Sequence, residues 1–192
     1  MDRQHRDSGN SNGFSLMELL ICLLIAGLIF SFGGNLTRTL QREQAYATIN
    51  ELRRLLSYAR HEAILRSGRV TLCAADQTGK CSKHWDQNHA IVFIDENLNR
   101  RLEPNETLLR QESIRNRRGQ LTWRASLGRP YIEFQEDGGT AQNGTFRFCP
   151  EAADAAAAVI VNRAGRNYVG EDRNKDGIRE DSRGKNLNCH AS

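Results

Sequence analysis

From Phe14 to Gly34 the chain carries one charged side chain, Glu18, and Leu19 to Phe32 is unbroken hydrocarbon apart from Ala26, Gly27 and Ser31. About twenty such residues, rising roughly 1.5 Å each in a helix, match the ~30 Å hydrocarbon core of a bilayer. Residues 14–34 are therefore expected to form a transmembrane helix. Glu18 is what an ordinary anchor lacks. An unpaired charge within hydrocarbon costs about 2.5 kcal/mol or more, so such a residue marks function. Gly13 stands immediately before the run, at the end of a short polar leader.

The leader, residues 1–13, is no conventional signal peptide, because it has no apolar stretch of its own and no small-residue cleavage site follows the run. Asp2 and Asp7 balance Arg3 and Arg6, which weakens the positive-inside signal for topology without reversing it. The 192 residues suffice for this helix and one further domain with a real core. A net charge of +4, from 27 basic and 23 acidic residues, is too mild to argue for a nucleic-acid partner.

Beyond Gly33-Gly34-Asn35 the apolar residues Ala45, Ile49, Leu52, Leu56, Ala59 and Ala63 recur at steps of three and four, one stripe of an α-helix. Arg42, Glu43, Arg53, Arg54, Arg60 and Arg66 fall mostly off the stripe. Ser67-Gly68 supplies the stop, with Gly68 suited to the left-handed position after the last turn. The N-terminal helix thus covers 14–67, and the paired glycines 33 and 34 are where it would bend or loosen.

Residues 69–192 form one β-rich globular domain in this reading. Runs rich in Val, Ile, Phe, Tyr and Thr between Gly- and Asn-rich breaks predict strands at 69–74, 90–95, 107–113, 121–123, 131–135, 145–149 and 157–161, with a weaker one at 166–169. Residues 151–158 are Ala-rich and suit a helical turn after Pro150. A long helix followed by antiparallel strands gives an α+β fold with the helix laid on one sheet face.

Cys22 lies in the apolar run, where it is expected to pack. The four cysteines downstream allow three connectivities; we expect Cys73 with Cys81 across a short loop and Cys149 with Cys189, tying the tail to the core. An oxidising compartment favours disulfides, and Cys81, His84 and His89 match no familiar zinc spacing. No nucleophile has a recognisable setting and no Gly-rich phosphate cradle exists, so we read no enzyme and no cofactor.

Gly13 followed by Phe14-Ser15-Leu16-Met17-Glu18-Leu19-Leu20 resembles the processing site of type IV prepilins and type II secretion pseudopilins. Landmarks further on extend the resemblance: Ala59 to Ile64 leading into Gly68 to Cys73, then Ala90 to Asn97, Thr145 to Cys149, and Val159 to Arg166. Their order is similar to that of the GspH/FimT family of minor pilins and pseudopilins. The resemblance implies a pilin-like fold, cleavage by prepilin peptidase between Gly13 and Phe14, and N-methylation of Phe14. It implies an inner-membrane, single-pass protein with a periplasmic C-terminal domain, which joins a pilus or pseudopilus beside other minor pilins and the major pilin. Glu18 would then be the fifth residue of the mature chain, pairing with the amine of a neighbour's Phe14 and so offsetting its burial.

Three further patterns are weighed against that background. Asp95-Glu96-Asn97-Leu98-Asn99 is similar to an Asp-x-Asn-x-Asn turn of relatives, but Arg100 stands where a calcium loop wants glycine. Asp172, Asn174 and Asp176 with Gly177 in sixth position are the better calcium candidate, although the twelfth position is Arg183 rather than Glu. DNA-capturing relatives carry Gly-Arg-x-Arg near the C-terminus; Gly165-Arg166-Asn167-Tyr168 keeps half of it, making Arg163 and Arg166 the candidate DNA contacts. Glu171, Asp172, Asp176, Glu180 and Asp181 interleave with the cations there, so a solvated loop is the competing reading. Arg115, Arg117, Arg118, Arg124 and Arg129, with Trp123, form a second basic stretch, read as a strand edge and turn.

Overall fold

The computed structural model describes residues 15–85, 89–113, 119–151 and 155–189, with the side chains of 31–36 excepted. Its single α-helix among these, α1 (Leu16–Leu65), is followed by strands β1 (Val70–Ala75), β2 (Cys81–Ser82), β3 (His89–Ile94), β4 (Leu108–Ser113) and β5 (Gln120–Ala125). Then come β6 (Tyr131–Phe134), β7 (Gly144–Cys149), β8 (Ala157–Val161) and β9 (Asn167–Val169). The chain divides into two units, Met1–Thr37 and Arg38–Ser192.

In the first unit the helix starts at Ser15, whose carbonyl accepts the N–H groups of Glu18 and Leu19 at 3.0 and 3.2 Å. The side chains from Leu16 to Phe30 are exposed, Leu16 by 81% and Phe30 by 86%. Helical backbone continues through Gly33 and Gly34. Among the described residues no helix is long and apolar enough to cross a membrane. Phe14 and the side chains of residues 31–34, within the span expected over 14–34, lie outside the described residues.

In the second unit the expected stripe is the packed face of α1: Ala45, Ile49, Leu52, Leu56, Ala59 and Ala63 are buried, with Leu55 joining them. The expected single sheet is instead two antiparallel sheets. β1 lies centrally in the first, paired along one side with β3, which pairs β4; its other side is shared end to end by β6 and β2. The second sheet runs β5-β7-β8-β9. Alternation sends Val70, Leu72 and Ala74 of the first sheet, and Phe146, Phe148, Ala157, Val159 and Val161 of the second, into one core with the helix stripe. Phe146 joins the sheets. Trp85, from the β2–β3 connection, meets it edge-on at 4.6 Å, and Trp123 of β5 stacks on it at 4.4 Å.

The helix stop differs from expectation by one residue. Ser67, at φ 48°, takes the left-handed position. Its N–H reaches the Ile64 carbonyl and that of Gly68 reaches Ala63, the paired bonds of a Schellman motif. β2 has no counterpart in the sequence reading. In the stretch read as a helical turn, Ala157 and Ala158 already belong to β8.

Candidate functional site

Gly13 and Phe14 lie outside the described residues, as do Arg115, Arg117 and Arg118. Glu18 is described: it occupies the first turn of α1, where a carboxylate favours the helix dipole. Around it stand the exposed Leu16, Met17, Leu19 and Leu20. One ionisable group within a fully exposed hydrocarbon surface is an arrangement suited to lipid or to other apolar helices, not to water.

Disulfides join Cys73 to Cys81 (S–S 2.03 Å) and Cys149 to Cys189 (S–S 2.15 Å). The first staples β1 to β2 on the sheet face turned away from α1, beside Ile91, Phe93 and Tyr131. On that face the buried Glu133 carboxylate lies 3.4 Å from both Arg69 and Arg100. The second holds the C-terminal tail over the outer face of the second sheet, where Leu187 packs on Cys149, Ala156 and Ala158.

Both Asx-rich segments turn their oxygens onto their own backbone. Asp95 is 1% exposed and accepts the N–H groups of Asn99 and Arg100, both at 3.0 Å, while Leu98 and Arg100 take left-handed φ. In the second segment Asp172 accepts from Gly177, Asn174 from Asp176, and Asp176 from Ile178. The buried Glu180, which sequence reasoning passed over as a ligand or anchor, accepts from Arg173 and Asn174. Hydrogen bonds from Asn186, Ile178 and Asn174 hold the Asp176 carboxyl below its ordinary value. Among the described residues no group of three or more His, Cys, Asp or Glu is placed to hold a metal ion.

Arg163 and Arg166 are exposed on the turn from β8 to β9. Gly165 between them is a packing necessity: at φ 71°, a Cβ there would lie 1.9 Å from the Gly138 carbonyl oxygen, which accepts from Arg60 Nε at 3.0 Å. Of the tail cations, Arg179 is drawn elsewhere, onto the Tyr46 ring at 3.9 Å and the Gly170 carbonyl.

One cluster was invisible in the sequence. The β5–β7 register pairs Thr122 with Arg147 and Arg124 with Thr145, making the two arginines diagonal neighbours on the outer sheet face. The disulfide-held tail brings Arg183 and Lys185 to the same cleft. Only strand pairing and the tail crossing could have revealed this.

The comparisons with known proteins agree with this architecture. No curated protein matches in sequence. The crystal structure of Pseudomonas aeruginosa type IV minor pilin FimU in space group P21 superposes with a TM-score of 0.50 at 20% identity, covering 70% of this chain and 92% of that one. Its P65 crystal form gives 0.46 at 19%, covering 68% and 94%. At such identity the P21 likeness speaks for the fold, a pilin-like α+β arrangement. The family model of type II transport protein GspH matches residues 48–165, from the packed face of α1 to the Gly165 turn. With more than half of its length so matched, the chain belongs to the GspH family.

Proposed function

We propose that this chain is a minor pilin of a type IV pilus, helping to initiate assembly or to form the tip complex that serves motility and adhesion. The carrying observation is Glu18 set in the exposed apolar surface of Leu16 to Phe30, on the helix that continues into the GspH-family domain. Hydrocarbon of that extent is held in the inner membrane before assembly and among neighbouring pilin helices afterwards. Prepilin peptidase cuts between Gly13 and Phe14, and the methylated Phe14 amine of one subunit meets Glu18 of the next. The two disulfides suit a periplasmic domain. The likeness in fold to FimU, itself a type IV minor pilin, supports the pilus assignment.

Affinity capture of the full chain from detergent-extracted membranes tests the proposal. Other minor pilins should co-purify, and Glu18→Ala should lose them; undiminished recovery with Glu18→Ala would count against it. Membership of the family of type II transport protein GspH favours a second reading, a minor pseudopilin of a type II secretion system. Deleting the chain separates the two: a pilus subunit's loss removes pili and spares secretion, whereas a pseudopilin's loss does the reverse.

A further inference from the structure

One donor in the core has no acceptor. Trp85 is fully buried, yet its indole N–H meets no hydrogen-bond partner among the described residues. An indole nitrogen can only donate, and a buried donor left unpaired carries its whole desolvation cost. The Phe146 ring beside it is only a weak acceptor. Trp85 also lines a cleft of about 330 Å³, at the lower end of small-ligand pockets, roughly 300–1,000 Å³. That space is where the missing acceptor can enter.

The other walls decide what kind of acceptor fits. Trp123, Ala125 and Pro130 supply apolar surface, while Lys83 and Arg129 supply charge. The backbone carrying both cations is fixed. The Arg129 carbonyl accepts from Trp123 Nε1 at 3.0 Å, and the turn before it is closed by the Gly128 N–H on the Ala125 carbonyl at 3.1 Å. The Lys83 carbonyl accepts the backbone N–H of Trp85 at 3.2 Å. Both side chains are exposed, and neither forms an ion pair or side-chain hydrogen bond among the described residues. No carboxylate is found in the described lining.

A neutral carbonyl would satisfy the indole but leave the cations unmatched. A phosphate would set a full shell of oxygens against the apolar walls. A carboxylate places one oxygen on the indole N–H and the other on a cation, and a short hydrocarbon body covers the rest. We infer that this cleft binds a small organic monocarboxylate, its charged end on Trp85 Nε1, Lys83 and Arg129 and its body against Trp123 and Pro130. The inference is independent of the pilus assignment.

The test follows the indole N–H itself by nuclear magnetic resonance. The chain has two tryptophans, so the full chain in neutral detergent, carrying indole labelled with heavy nitrogen, gives two indole signals, assigned with Trp123→Phe. Isovalerate should move the Trp85 signal downfield and saturably, whereas isoamyl alcohol, of the same skeleton without the charge, should not. Acetate, lacking the hydrocarbon body, should bind severalfold more weakly. Lys83→Gln and Arg129→Gln, both on exposed side chains, should each weaken isovalerate severalfold and together at least tenfold. Arg54→Gln, on the exposed side of α1, should leave it unchanged. A Trp85 signal that stays still or moves equally with the alcohol would overturn the inference. So would acetate binding as tightly as isovalerate, or undiminished affinity in the double variant.

Discussion

Replacing Gly165 with alanine isolates the contact that closes the β8–β9 turn against the helix. Alanine at φ 71° costs about 1–2 kcal/mol in backbone strain alone. Its Cβ would also lie 1.9 Å from the Gly138 oxygen, so that carbonyl must retreat by more than an ångström. The retreat breaks the 3.0 Å bond from Arg60 Nε, a charged hydrogen bond contributing roughly 1.5–3 kcal/mol. Together these give a loss of about 2.5–5 kcal/mol. Gly177→Ala is the control, since Gly177 has φ 86° with nothing within 4 Å of a Cβ, and it should lose only the strain, about 1–2 kcal/mol. Urea unfolding of the full chain in detergent, followed by Trp85 and Trp123 fluorescence, measures both at unchanged m-value. Combining Gly165→Ala with Arg60→Met should give a coupling of about 1.5–3 kcal/mol, because both remove the same bond. Equal losses for Gly165→Ala and Gly177→Ala, or strict additivity with Arg60→Met, would refute the reasoning.

Removing Cys149–Cys189, which closes 40 residues, should cost about 4 kcal/mol, against about 2.5 kcal/mol for the 8-residue Cys73–Cys81 loop. Paired Cys→Ala variants compared by urea melts check the order. Ser67→Gly should stabilise by about 0.5–1 kcal/mol, since serine holds a left-handed position where glycine is unstrained; the same melts would show it. The hydroxyl and then the N–H of Thr78 hold the Asp76 carboxyl below its ordinary value. A depressed carboxyl stabilises the fold above the unfolded pKa, near 4, and loses that contribution as pH falls through the folded value. Thr78→Val should therefore flatten the acid limb of a stability–pH curve while leaving its slope above pH 5 unchanged.

Where period and burial coincide, the fold could be read directly. The stripe from Ala45 to Ala63 recurs at helical spacing because it faces the core, and the strands at 131–135 and 157–161 lie within a residue of β6 and β8. The division into two sheets could not be read, because it depends on β6 returning beside β1 at Val70↔Phe134, a long-range pairing without a local signal. β2 is two residues long, below any periodicity. The stop was misplaced by one because glycine is the usual left-handed residue, whereas here Ser67 accepts the strain and Gly68 completes the motif. Of the site, Glu18 stood out through its apolar surroundings. The Arg124–Arg147 apposition did not, since it arises from cross-strand register and a tail anchored by a disulfide.

The central claim is that an acid buried among apolar helices is matched by an amine created when the chain is cut. N-terminal sequencing and intact mass of the protein purified from membranes test it most directly. The account predicts a chain beginning at Phe14 and one methyl group heavier than its sequence requires. A mature chain that still begins at Met1 would contradict it.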